Sequence, residues 1–166
     1  MKRPTSRDIS RYAVAEEMLD DVMAFLDPGE DKKSVLDDLA TALEYAGTDG
    51  YEIAKYLDDR KSWNITADMV ESFDRASMIE YKLTSDAVKK WVSFYAIASK
   101  FKQGDAVEVE VRKTKYHGEI VSIDTKEAKY TVYIEALGHV KSGQGTVGIV
   151  LPFEQVESFI FQAQAV

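Results

Sequence analysis

Residues 84–101, TSDAVKKWVSFYAIASKF, decide the predicted fold because their apolar residues repeat at helical spacing. Val88, Trp91 and Val92 stand at positions i, i+3 and i+4, and Tyr95 and Ala98 continue the series. The side chains that widen this stripe are Phe94, Ile97 and Phe101. A helix this apolar has to be covered from more than one side. We therefore expect Trp91 to be buried, with helices before this segment and β-structure after it as the covers.

The preceding part of the chain reads as helices with polar N-cap residues and glycine or proline stops. The predicted segments are residues 9–27 (capped by Thr5 or Ser6), 32–46 (ended by Gly47), a short helix opened by Asp49, a helix opened by Thr66, and residues 84–101 (capped by Thr84 or Ser85). Short loops join them and no long polar linker intervenes. The sequence therefore predicts a bundle of about five α-helices over residues 1–101.

At Gly104 the hydrophobic period changes from that of a helix to that of a strand. Val107, Val109 and Val111 alternate with charged residues, as in a half-buried strand. Further strands are predicted to begin at Gly118, Tyr130, Val147 and Val156. Five short strands in succession suit a small closed barrel, because closure removes exposed sheet edges. The predicted fold class is α+β, with a C-terminal five-stranded barrel over residues 102–166.

Four segments of this β-region resemble the SH3-like small barrels of the Tudor and KOW type. They are GDAVEVEV (104–111), YHGEIVSID (116–124), KYTVYIEA (129–136) and LPFEQVE (151–157). The shared features are a Gly-Asp entry, a glycine opening the second strand, and an aromatic-x-Val third strand. The resemblance implies the fold of about a third of the chain. It does not select a ligand, because such barrels bind RNA, DNA, peptides or proteins.

Residues 50–74, GYEIAKYLDDRKSWNITADMVESFD, are similar to uncharacterised accessory proteins encoded by bacteriophages and prophages. This resemblance brings no residue roles with it. Together with the acidic character of the N-terminal half, it leads to the hypothesis of a phage-encoded inhibitor of a host defence or nucleic-acid-processing protein.

The composition limits the compartment and the chemistry. The chain has no cysteine, which excludes disulfides, thiol catalysis and cysteine-ligated zinc, and fits a reducing compartment. The N-terminal MKRPTSRD is basic but is followed by no apolar run, so it does not read as a signal peptide. No stretch reaches the length of a membrane span. The expected location is cytoplasmic.

The net charge of −8 is concentrated in the N-terminal half, because residues 8–59 hold 15 Asp or Glu against 4 Lys or Arg. Such a surface disfavours phosphate binding and favours a basic partner protein. The predicted partner-binding carboxylates form three adjacent pairs: Asp20 and Asp21, Asp37 and Asp38, Asp58 and Asp59. The competing interpretation is a solvated acidic surface without a partner.

An alternative hypothesis places function in the β-region, where a short basic segment contains an aromatic residue. Its members are Arg112, Lys113, Lys115, Tyr116 and His117. A basic groove with stacking aromatics is how small barrels bind single-stranded nucleic acid. The whole region 102–166 nevertheless holds 7 basic against 9 acidic residues.

No residue pattern predicts catalysis, a metal or a cofactor. The two histidines, His117 and His139, lie in separate loops without ligand spacing. The glycine-rich loop 138–145 lacks the Lys and Ser or Thr of a phosphate loop. We therefore expect a non-enzymatic binding protein. The apolar residues Phe159, Ile160 and Phe161 are expected to pack on the helices or to form an oligomer contact, with packing favoured.

Overall fold

The computed structural model describes residues 2–139, 141–142 and 145–158. It has the α+β class that the sequence predicts, with helices followed by a curled five-stranded antiparallel sheet. Two compact units can be distinguished, Met1–Val88 and Lys89–Val166. The dividing point lies inside the last helix, whereas the sequence analysis placed the domain limit after residue 101. No helix of the described residues has the length and apolar character needed to cross a membrane.

The helices are α1 (Arg11–Met23), α2 (Lys32–Ala46), α3 (Gly50–Lys61), α4 (Ala67–Phe73) and α5 (Ala76–Phe94). Three of them begin where capping chemistry predicts. The side chains of Asp31, Asp49 and Thr66 accept hydrogen bonds from the backbone N–H three residues ahead, at 2.9, 3.0 and 3.3 Å. Gly47 ends α2 with a φ of 72°, a conformation that glycine adopts without steric cost.

The helical unit has one hydrophobic core. Its buried members come from α1 to α4 and from the first residue of α5. They are Val14, Ala15, Met18, Val22, Val35, Leu39, Ala40, Ala42, Leu43, Ile53, Ala54, Leu57, Met69, Phe73 and Ala76. Within α2 and α3 these residues recur at helical spacing, as expected for helices that bury one face.

The predicted first helix extends beyond α1 at both ends. Thr5 caps a separate 3₁₀ turn, Ser6–Asp8, and Ser10 occupies the N-cap of α1. The α-helix ends at Met23, and the chain continues as a tighter turn in which the N–H of Phe25 donates to the carbonyl of Val22 at 3.0 Å. Helix ends commonly tighten in this way.

The start predicted for the fifth helix at Thr84 or Ser85 was wrong. The α-helix α5 already begins at Ala76 and continues through both residues. Thr84 does not cap it: its hydroxyl donates to the carbonyl of Glu80 at 2.7 Å, four residues back in the same helix. Threonine can make this bond in a helix interior, where its side chain gives no stop or start signal.

The same helix also ends earlier than predicted, at Phe94. Ala96 adopts the left-handed conformation with a φ of 50°. The N–H of Ala96 then donates to the carbonyl of Ser93 at 3.4 Å, and the N–H of Ile97 donates to the carbonyl of Val92 at 3.0 Å. This is the Schellman pattern of hydrogen bonds, formed here without glycine. Phe94 is 80% exposed instead of buried, and Trp91 is half-buried.

The sheet contains β1 (Ala106–Val111), β2 (Thr114–Asp124), β3 (Lys129–Tyr133), β6 (Ile149–Pro152) and β7 (Val156–Ser158); β4 (Lys141–Ser142) and β5 (Gly145–Thr146) pair separately. The spatial order is β6-β3-β2-β1-β7, and all neighbours are antiparallel. The buried residues of this unit's sheet and turns are Val107, Val109, Ile120, Ala128, Tyr130, Val132, Ile134, Leu151, Phe153 and Val156.

Two predictions fall wholly or partly on residues outside the described ones. The expected packing of Phe159, Ile160 and Phe161 lies beyond Ser158, the last described residue. The glycine-rich loop 138–145 includes positions 140, 143 and 144, which the structure does not describe. In its described part, the Ile134 N–H donates to His139 Nδ1 at 3.0 Å.

Candidate functional site

Four of the six predicted partner-binding aspartates are exposed on helical surfaces. Asp20 lies 3.4 Å from the ammonium of Lys32, and Asp21 forms an ion pair with Arg75. Asp58 and Asp59 are exposed on α3. Exposed ion pairs contribute little to stability. These carboxylates are therefore available to interact with a partner at small cost to the fold.

Asp37 and Asp38 differ from the other four because both are only partly exposed. Asp38 is 20% exposed; it lies 2.8 Å from the Lys61 ammonium and accepts a hydrogen bond from Trp63 Nε1 at 3.1 Å. The hydrogen bond to Asp38 raises the pKa of Lys61. Asp37 accepts a hydrogen bond from the hydroxyl of Tyr12, which raises the pKa of that tyrosine. Asp38 therefore has a structural role that the sequence pattern did not reveal.

The acidic helices also expose large aromatic side chains, a feature that the sequence analysis missed. Tyr45 is 75% exposed and Tyr51 is 65% exposed. Tyr45 stacks on Tyr56, with ring centroids 5.4 Å apart and planes inclined by 7°. We use the name tyrosine surface for the tyrosines that the helices α1 to α3 carry outside the core: Tyr12, Tyr45, Tyr51 and Tyr56. The available sequence signal was that Tyr45 and Tyr51 lie outside the apolar stripes of α2 and α3.

A groove of about 510 Å³ opens near the end of α1. Its walls combine the aromatic rings of Phe25 and Trp63 with the carboxylates of Asp27, Glu30 and Asp38. The remaining lining residues are Leu26, Ser34, Val35, Lys61, Ser62, Asn64 and Thr66. The volume falls within the range of small-ligand sites. We call this cavity the Phe25–Trp63 groove.

The basic segment of the alternative hypothesis forms a β-hairpin instead of an open loop. β1 and β2 pair up to Val111 and Thr114, which leaves Arg112 and Lys113 as a two-residue turn. Both have positive φ, 51° and 68°. This is the backbone of a type I′ turn, in which Asn-Gly is the preferred sequence. The expected strand start at Gly118 was therefore four residues too late, because Thr114 already pairs.

The pleat separates the other members of the basic segment. Lys115 and His117 face one side of β2 and Tyr116 the other, since successive side chains alternate. Lys115 forms an ion pair with Glu108, and this hydrogen bond raises the pKa of Lys115. A cavity of about 420 Å³ surrounds the pair. Four glutamates line it, at positions 108, 110, 154 and 157. Nucleic-acid binding by this segment stays a prediction.

The hairpin turn leads to a stability prediction. Replacing Arg112 by Asn and Lys113 by Gly should stabilise the sheet unit by about 1 kcal/mol, because a left-handed conformation costs most residues about 1–2 kcal/mol. Urea unfolding followed by tryptophan fluorescence would measure the change. The matched control is Arg112→Ala with Lys113→Ala, which removes the same charges but keeps side chains in the strained conformation. Equal stabilisation by both variants would show that charge, and not the backbone, is responsible.

Among the described residues, no group of three or more His, Asp or Glu side chains is arranged to hold a metal ion. The chain matches no protein-family model, no curated protein and no solved structure. The geometry and charge of its own residues are therefore the basis for a functional proposal.

Proposed function

We propose that the protein is a non-enzymatic binding protein whose acidic helices recognise a basic surface on a partner protein. The observation that carries the proposal is the exposure of Tyr45 and Tyr51 within a segment of strong negative charge. Tyrosine is enriched among the residues that dominate binding energy at protein interfaces. Its rigid ring supplies apolar contact area, and its hydroxyl supplies a polar end.

Charge and aromatic contact have separate roles in this proposal. The carboxylates of Asp20, Asp21, Asp58 and Asp59 supply long-range attraction, which increases the rate of association and decreases as salt screens it. The tyrosine surface supplies short-range contact area, which salt affects little. The partner is therefore a protein with a basic surface that also offers apolar or cationic groups to the tyrosine rings.

Removing tyrosine rings should weaken binding without changing the charge. We expect Tyr45→Ala with Tyr51→Ala to weaken binding of an arginine-rich peptide at least about tenfold, since each interface hot spot is worth about 2 kcal/mol or more. Titration calorimetry at two salt concentrations would measure it. The control is Tyr81→Ala on α5, because Tyr81 is 65% exposed like Tyr51 but lies outside the acidic segment.

The outcomes separate the two hypotheses. Absence of peptide binding by the unaltered protein, or equal affinities of the tyrosine variant and the control, would reject the proposal. Retention of single-stranded DNA or RNA at physiological salt, lost on Arg112→Ala with Lys113→Ala, would establish the alternative of nucleic-acid binding through the hairpin.

A narrower form of the proposal names a phage-encoded inhibitor that occupies the nucleic-acid groove of a host protein. Carboxylates spread over adjacent helices can mimic the spacing of phosphates. Duplex DNA should then compete with the protein for its partner. Simultaneous binding of DNA and this protein to the same partner would contradict the inhibitor form while leaving protein binding in place.

We also propose that the sheet unit is an SH3-like barrel. The order β6-β3-β2-β1-β7 and the 3₁₀ turn Phe153–Gln155 before the last strand support this assignment. Two short end strands, of four and three residues, also suit a small barrel. The fold does not select a ligand, so the proposed function depends on the helical unit.

A further inference from the structure

We infer that the Phe25–Trp63 groove binds the guanidinium group of an arginine side chain. This inference deepens the proposed function. That the arginine belongs to a basic partner protein rests on that proposal. It is carried by the combination of the Asp27 and Glu30 carboxylates, the two aromatic rings and a cavity of side-chain size at one place in the helical unit.

The two carboxylates come from opposite ends of one tight turn. Residues 27–30 have the sequence Asp-Pro-Gly-Glu, and the N–H of Glu30 donates to the carbonyl of Asp27 at 3.0 Å. A turn of this kind holds its first and fourth Cα atoms within about 7 Å of each other. Pro28 fixes its own φ, so the turn loses little entropy when a ligand binds. Asp27 and Glu30 can therefore contact one planar cation together.

One of the two aromatic walls, Trp63, is held in place before any ligand arrives. Trp63 Nε1 donates to Asp38 at 3.1 Å, and the same carboxylate lies 2.8 Å from the Lys61 ammonium. This pairing offsets the charge of Lys61, the one cationic side chain among the described lining residues. Asp27 and Glu30 then leave the groove with a net negative charge. Phe25 is 43% exposed, so part of its ring remains open to a ligand.

Arginine suits this arrangement better than lysine does. Its guanidinium is planar, stacks on aromatic faces and can bond two carboxylate oxygens at once. The lysine ammonium is compact and more strongly hydrated, so it loses more on entering a groove lined by rings. The inference therefore predicts discrimination between two side chains of the same charge, which a merely acidic surface does not provide.

The probe is acetyl-arginine amide, with acetyl-lysine amide and the neutral acetyl-citrulline amide for comparison at constant ionic strength. The chain has two tryptophans, so the Trp63 indole N–H signal can be assigned by Trp63→Phe and followed by NMR in the full-length protein. We expect a saturable shift with the arginine compound, weaker binding of the lysine compound, and no saturable response to citrulline. Asp27→Asn with Glu30→Gln should weaken arginine binding at least about tenfold, because each charge-assisted hydrogen bond contributes on the order of a tenfold factor.

The matched control is Glu16→Gln with Glu71→Gln, which removes two exposed charges outside the groove and should leave binding unchanged. A response that does not saturate, or equal weakening by both double variants, would overturn the inference. If the groove fails this test while the arginine-rich peptide still requires Tyr45 and Tyr51, the proposed function stands without it. If the arginine compound saturates the groove but the peptide does not bind, the groove assignment stands and the proposed function falls.

Discussion

Replacing Tyr130 by alanine is expected to lower the free energy of unfolding of the sheet unit by about 3–5 kcal/mol, the usual range for a fully buried aromatic. Tyr130 has no exposed surface. Its ring stacks on Phe153 with centroids 4.2 Å apart and contacts Phe101 at 5.9 Å. Alanine would leave a cavity bordered by both rings, and a packed interior relaxes only partly around such a gap.

The hydroxyl of Tyr130 adds a second, smaller contribution. It accepts hydrogen bonds from the N–H groups of Lys100 at 3.0 Å and Phe101 at 3.3 Å. The Ser99 hydroxyl donates to the Phe101 carbonyl, so the Tyr130 hydroxyl donates to Ser99, 2.8 Å away. Tyr130→Phe breaks this chain but keeps the ring. We expect Tyr130→Phe to lower the free energy of unfolding by about 1 kcal/mol, the net contribution of a typical hydrogen bond. The loss stays this small because water can hydrogen-bond to part of the groups left without the hydroxyl.

Urea unfolding followed by fluorescence separates the units, because Trp63 lies in the helical unit and Trp91 in the sheet unit. The Trp91 transition should move in both Tyr130 variants. Tyr81→Ala is the control, and a change within about 0.5 kcal/mol is expected for an exposed side chain. A Tyr130→Ala protein as stable as the parent would contradict the described core.

Adding one methyl group at Gly50 should also be destabilising. Gly50 is buried at the first position of α3, and a Cβ there would lie 2.7 Å from the backbone nitrogen of Asp74. Alanine favours helices over glycine by about 1 kcal/mol, so propensity alone predicts stabilisation. Overpacking against backbone typically costs about 1–3 kcal/mol or more and should outweigh that gain. We therefore expect Gly50→Ala to destabilise the helical unit by about 1–2 kcal/mol.

Gly29→Ala is the matched control for this prediction. A Cβ at Gly29 would meet no atom within 4 Å, and its φ is not positive. Without a steric conflict, alanine reduces the entropy of the unfolded chain, so Gly29→Ala should be neutral or stabilising by up to about 1 kcal/mol. Thermal unfolding of the two variants, followed through Trp63, compares them directly. A stabilised Gly50→Ala protein would mean that α3 and α4 do not approach as closely as described.

The sequence predicted the acidic character of the candidate site but not all of its residues. The surplus of carboxylates in residues 8–59 was visible without a structure, and four of the six selected aspartates are exposed. The separate role of Asp38 was not visible, because its contact to Trp63 joins residues 25 positions apart. The tyrosine surface was also missed, since a tyrosine beside an apolar stripe can point inward or outward according to how neighbouring helices pack.

The sequence alone determined those features whose physical cause lies within a few residues. Caps such as Asp49 and Thr66 hydrogen-bond three residues ahead, and the alternation of Val107 and Val109 follows from the pleat of a single strand. These signals indicated the fold class, most helix starts and the change from helices to strands.

Only the tertiary structure decided where the apolar helix of residues 84–101 begins and ends. Thr84 has the residue type of a cap but lies inside α5, and Ala96 takes a left-handed conformation that its residue type disfavours. Because that conformation costs about 1–2 kcal/mol, local propensity predicts that the helix continues. The chain leaves the helix there because Tyr130 holds the next segment, accepting hydrogen bonds from the N–H groups of Lys100 and Phe101. Hydrogen bonds between residues 29 and 30 positions apart thus outweigh a local preference of that size.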